Sequence, residues 1–141
     1  MSLLSFVTSA QDVAGLQSVQ SNYDVSTTAT RLEGVLAESG MKVFARIDHA
    51  SGAEKVGENL RPTELVIFGN PKVGTKLMQC SQSVGIDLPM KALIWADENG
   101  VTWIGYNQGG YMKSRHNLEG CDGVIEIINN ALKAFSTTAA S

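Results

Sequence analysis

Two histidines and one strand-to-helix corner are the residues with chemistry to offer in this chain. His49 directly follows Asp48, and His116 follows Arg115 in the stretch YMKSRHNL. A histidine held by a carboxylate is a common general acid-base pair, because the ring carries a proton in and out near neutral pH while the carboxylate orients it. His49 and His116 are therefore the catalytic candidates, with Asp48 or Asp97 as the orienting carboxylate. The plainer alternative for each histidine is a structural hydrogen bond. The corner is Gly69-Asn70-Pro71-Lys72, where the apolar run LVIF stops and a helical pattern begins. Gly69 allows close backbone approach, and the first amides after Pro71 lack intrahelical partners, so a small anion could rest there. The spacing GNPKVGTK lacks the phosphate-loop order G-x-x-x-x-G-K-[ST], so ordinary turn chemistry explains the corner as well.

Metal-ligand spacing such as H-E-x-x-H or paired C-x-x-C is absent from the sequence, and no metal ligand set is assigned. A non-covalent haem or metal held by His49, His116 or a methionine is an alternative. Cys80 and Cys121 allow one intramolecular bridge. A core of this size does not require a disulfide, and Cys80 shares a helical face with Val73, Leu77 and Val84, so both read as free thiols. Trp95, Trp103, Tyr106 and Tyr111 could wall a pocket, although aromatics on a hairpin more often serve core or interface.

The elements that must position these groups follow from periodicity. After a weak strand over residues 16–23, VSTTATRLEGVLAESG places Ala29, Leu32, Val35 and Leu36 on one face, with Ser26 or Thr27 as cap and Gly40 as stop. KVFARID alternates like a strand, and HASGAEKVGENL is a brief helix with Ser51 and Glu54 at capping-box spacing. LVIF, 65–68, is apolar throughout and predicts a strand covered on both sides. Asn70 and Pro71 suit the cap and first positions of a helix running to about Val84. PMKALIWA and VTWIGY flank Asn99-Gly100, the signature of a hairpin. GCDGVIEIINNALKAF closes the domain as a helix, with Asp122 as cap. The order predicts an α/β (α+β) fold: a mixed sheet of about five strands with βαβ crossovers, a hairpin in the second half and packed helices. Residues 1–15 form an N-terminal extension, 16–135 a single domain, and 136–141 a frayed tail. If the strands ending at Ile47 and Phe68 are parallel, Asp48, His49, Gly69, Asn70 and Lys72 share one rim as ligand contacts.

Composition sets the outer limits. The 141 residues are 43% hydrophobic and 18% charged, enough for one globular core. Eleven basic residues against 14 acidic give a net charge of -3, without the basic excess of a nucleic-acid binder. Apolar runs fall far short of the roughly 20 residues that cross a bilayer. The start, MSLLSFVTSAQDVAG, has a greasy patch but no Lys or Arg before Arg31, so the expectation is a cytoplasmic protein, or an exported one whose leader has been removed.

The blocks VFARIDHASGA, LRPTELVIFGNPKVGTKLMQ, GIDLPMKALIWADENGVTWIGYN and YMKSRHNL occur in order, and together they resemble the domain-of-unknown-function 302 family over most of residues 24–119. The resemblance implies a compact α/β domain and a homodimer, with no settled activity. Arg46, His49, Arg61, Pro62, Gly69, Asn70, Pro71, Pro89 and His116 lie in those blocks, and Arg46 thereby joins the ligand-contact candidates. The expected function is capture of a small molecule, an anion among the options, with a hydrolytic or redox enzyme as the alternative.

Overall fold

The computed structural model describes residues 13–141; most of the expected N-terminal extension, residues 1–12, lies outside the described part. Five strands, β1 (Leu16–Ser21), β2 (Lys42–Asp48), β3 (Thr63–Gly69), β4 (Met90–Ala96) and β5 (Thr102–Asn107), form one sheet in the order β1-β5-β4-β3-β2. The helices are α1 (Val25–Glu38), α2 (His49–Lys55), α3 (Pro71–Cys80), α4 (Gly109–His116) and α5 (Asp122–Ala140), with a 3-10 turn over Gln82–Asp87. This is the expected α/β (α+β) architecture. Every hydrogen-bonded strand pair is antiparallel. Four such reversals leave β1 and β2 running the same way at opposite edges, and the crossover through α1 joins those two.

Register explains the core. Val66 pairs with Ala92, Ala92 with Tyr106, and Ile94 with Ile104, so these residues point to one face, as the period of two requires. All are buried, together with Val25, Ala29, Leu32 and Leu36 of α1 and Ile125, Ile128 and Leu132 of α5. Burying each valine, leucine or isoleucine of this set contributes about 1.5–3 kcal/mol before entropy is set against it. The other face carries Ile47, Leu65, Ile67, Leu93 and Trp95. Ile47 is 39% exposed, and Leu65 and Ile67 are only half-buried. LVIF is thus apolar on both faces while only one is fully covered.

Local chemistry sets the boundaries. Asp24, one position before Val25, caps α1 by accepting from the Thr27 amide at 2.8 Å; Ser26 and Thr27 do not. Asp48 caps α2 through the Ser51 amide at 2.9 Å. The Asn99-Gly100 turn closes the β4–β5 hairpin, with Gly100 at φ 78°. Its Asp97 carboxylate accepts from the Asn99 and Val101 amides and from the Trp103 indole, each at 2.9 Å. Cys121, not Asp122, holds the cap position of α5. The segment 136–141, expected to fray, is instead mostly the last turn of α5. Ala139 and Ala140 are buried, the Asn22 amide donates to the Ala140 carbonyl at 2.9 Å, and Arg31 donates to the carbonyls of Ala139 and Thr138.

Candidate functional site

The two predicted junctions do not meet. Lys42 pairs with Gly69 and Asp48 with Glu64, so Asp48 and His49 leave one end of the β2–β3 pair while Gly69, Asn70 and Lys72 leave the other. Six strand steps separate those ends by about 20 Å. The link between the strands, α2 and the loop over 56–62, returns the chain to the end of β2 from which it left, so β3 runs back antiparallel beside β2. His49 is exposed and makes no side-chain hydrogen bond among the described residues. Asp48 is engaged as the α2 cap.

Arg46, a candidate ligand contact through the family blocks, is engaged within the fold. Its guanidinium donates to Glu64 at 2.6 Å, to Glu33 at 2.7 Å, to the Thr30 hydroxyl at 2.9 Å and to the Ser26 carbonyl at 3.1 Å. The hydrogen bond to Glu64 is the main reason its pKa is raised further. Four anchors in α1 and β3 leave Arg46 acting as a tie between helix and sheet.

At the opposite end, Gly69 and Asn70 border a cavity of about 530 Å³ between α3, α5 and the end of β3. The Asn70 side chain accepts from the Lys72 amide at 3.0 Å, and the Asn70 carbonyl accepts from Val73 and Gly74. The amides expected to hold an anion are therefore partly claimed by the helix's own cap. The lining is chiefly apolar: Met41, Phe44, Met78 and Met90 on one side, Ile128 and Phe135 of α5 on the other. Two glycines help keep it open. A Cβ on Gly74 would meet only Leu88, at 3.7 Å, and one on Gly69 would press on Phe44 at 3.3 Å. Of the four aromatics considered as pocket walls, none lines this space; Tyr106 belongs to the core and Trp103 is buried.

His116 sits in a third place. Its Nδ1 faces the Ser83 hydroxyl at 2.8 Å and its Nε2 faces Asp87 at 2.5 Å, while Arg115 donates to both oxygens of Asp87 at 2.9 and 3.2 Å. The carboxylate partner is thus Asp87, neither Asp48 nor Asp97. The expectation of free thiols is corrected: Cys80 and Cys121 form a disulfide with a Cα–Cα separation of 6.4 Å. The helical face that Cys80 was thought to share ends there, because α3 stops at Cys80, short of Val84, and delivers the thiol to the start of α5. Among the described residues no cluster of three His, Cys, Asp or Glu suits a metal ion.

The family model for the domain of unknown function DUF302 matches residues 17–135. The chain belongs to the DUF302 family. Its fold matches the crystal structure of an uncharacterized conserved DUF302 protein from Bacillus stearothermophilus with a TM-score of 0.81, at 21% identity, over 90% of this chain and 99% of that one. Among curated proteins, the chain is 44% identical over 105 residues to the fluoride-specific ion channel FluC 1 of Brucella suis, covering 74% of this chain and 41% of that relative. The same identity and length hold for FluC 1 of Brucella abortus and FluC 2 of Brucella melitensis, covering 39% of each. The chain therefore spans about two fifths of these relatives. No helix among the described residues of this DUF302 domain is long and apolar enough to cross a membrane.

Sequence reasoning missed the cavity lining and the partners of His116. Met41, Phe44, Met78 and Phe135 belong to three elements and the turn before β2, so periodicity within one element cannot reveal them. Ser83 and Asp87 fall in a turn where the helix was expected to continue or end, and α4 itself has no apolar stripe to announce it.

Proposed function

We propose that this DUF302 domain binds a small, largely apolar molecule with a polar or anionic head, in the cavity between α3 and α5. The cavity carries the reading: about 530 Å³ lies within the roughly 300–1,000 Å³ typical of small-molecule sites, and such sites combine an apolar wall with few polar groups. Here the polar groups are at the Asn70 rim, and Lys72, exposed on the first turn of α3, offers a positive charge for the head group. A medium-chain carboxylate fits that description. Gly69, Asn70 and Lys72 are then ligand contacts, while Arg46, Asp48 and His49 are not.

The test is a thermal-shift series of straight-chain carboxylates on the wild type and on Gly74→Leu, whose side chain would fill the cavity. Stabilisation that grows with chain length and vanishes in the variant is expected, since a ligand of the native state raises its melting temperature. Equal shifts in both proteins, or none in either, would refute cavity binding.

The half-exposed apolar sheet face supports a homodimer built on Leu65, Leu93 and Trp95, to be checked by light scattering of the wild type against Leu93→Glu. The disulfide supports residence in an oxidising compartment, where such bonds persist. The Brucella relatives are named as fluoride channels, and a domain without a membrane-crossing helix among its described residues fits an accessory role beside a channel, not the pore itself.

A further inference from the structure

The geometry around His116 points to a second site, and we propose that Ser83 is a nucleophile toward small carboxylic esters, with His116 as its general base. Ser83, in the 3-10 turn, is exposed, whereas the His116 side chain is 5% exposed and that of Asp87 15%. A nucleophile open to solvent and backed by a sheltered base is the arrangement that covalent catalysis needs.

The hydrogen bonds define the working tautomer. An ionised carboxylate only accepts, so Asp87 requires a proton on His116 Nε2. In the neutral ring that leaves Nδ1 as the acceptor, and the hydroxyl facing it at 2.8 Å is that of Ser83. The Ser81 hydroxyl lies 3.3 Å from Ser83 Oγ and can donate to it once the Ser83 proton points at the ring. Arg115, anchored on Asp87 through Nη1, holds that carboxylate in place, so Asp87 and Arg115 are positioning residues. The nitrogens are used in the reverse sense to the familiar serine-histidine-aspartate set, which is recognised by roles and geometry and recurs on unrelated folds.

The step balances with an ester and water alone. Ser83 Oγ attacks the carbonyl carbon as its proton passes to His116 Nδ1, and the imidazolium faces Asp87. The bond from carbonyl carbon to the leaving oxygen breaks, and that oxygen takes the proton from Nδ1, releasing an alcohol. Water then adds to the acyl-serine with His116 again accepting a proton, and returning it to Ser83 releases the acid. Nothing is oxidised or reduced.

The experiment uses the intact chain with p-nitrophenyl acetate. Nitrophenol release is followed by absorbance, and the acetyl group is located by peptide mass mapping. Expected are an acetyl adduct on Ser83, a loss of about 100-fold or more in acylation rate in His116→Gln, complete loss of that adduct in Ser83→Ala, and an adduct retained in Ser83→Cys. Ser83→Ala leaves the sheltered His116 Nδ1 without its partner at 2.8 Å and should lower the melting temperature somewhat, so rates are compared well below that variant's transition, which separates chemistry from folding. A solvent deuterium isotope effect above unity on wild-type acylation reports the proton transfer without any variant. Nitrophenol release unchanged in Ser83→Ala, acetylation confined to lysines, or an isotope effect of unity would each overturn the proposal. The outcome is independent of whether carboxylates stabilise the α3–α5 cavity.

Discussion

Replacing Arg46 by alanine should be among the most damaging single changes in this domain, although the residue is not in the apolar core. The guanidinium is a quarter exposed, but the Glu64 side chain it meets at 2.6 Å is only 9% exposed. Removing one partner of a buried pair costs about 3–5 kcal/mol, mostly because the other charge stays behind desolvated. Water reaches part of Arg46, and Glu33, at 34% exposure, can be rehydrated at little cost, so about 2–4 kcal/mol is the expected loss. Unfolding entropy of about 2.1 cal/mol/K per residue over 141 residues gives about 0.3 kcal/mol/K, which converts this loss into a melting temperature lowered by about 7–14 °C. The assay is reversible urea or thermal unfolding of Arg46→Ala, Glu64→Gln and the double variant. Because the penalty resides in the stranded carboxylate, the double variant should be more stable than Arg46→Ala alone. An Arg46→Ala loss below about 1 kcal/mol, or a double variant no better than that single one, would refute the tie between α1 and the sheet.

Gly34 lies on the exposed side of α1 with nothing within 4 Å of an added Cβ, so Gly34→Ala should stabilise by about 0.5–1 kcal/mol in a denaturant melt. Replacing both cysteines by alanine frees a loop of sequence separation 41 and should cost about 2–4 kcal/mol in unfolding titrations, with the same loss on adding reductant to the wild type. The Asp97 carboxyl is held below its ordinary 3.8, chiefly by the Trp103 indole and then by the Val101 amide. A depressed native value contributes stability that is present above the unfolded pKa and lost as pH falls through the native one. Asp97→Asn should therefore show a shallower loss of melting temperature than the wild type as pH is lowered from 5 through about 3.

The strands and helices were largely legible because their signals are local. Asn70 and Pro71 mark the start of α3, Asn99-Gly100 the hairpin, and the α5 stripe from Ile125 to Leu132 its buried face. The pairing direction of β2 and β3 was not, because the link over residues 49–62 is long enough for either a parallel or an antiparallel return, and that error carried the candidate site with it. Asp48 and Gly69 were each rightly placed at strand ends, yet at opposite ends. Gly69 and Asn70 do border a cavity, but its lining is assembled across β3, α3 and α5, a three-dimensional property with no linear period. The Cys80–Cys121 bridge escaped for a similar reason, since the stop of α3 at Cys80 rather than Val84 decides where that sulfur points.

The clamp on the last turn of α5 has a consequence for anything attached beyond Ser141. The Ala140 carbonyl receives the Asn22 amide, Arg31 holds the two carbonyls before it, and Tyr23 donates to the Ser141 carbonyl at 3.0 Å. A passenger joined there without a flexible spacer would leave from a fixed azimuth and tumble with the body to which it is bolted. A fluorophore on that terminus would consequently report the rotation of the whole particle, not the wagging of a loose end.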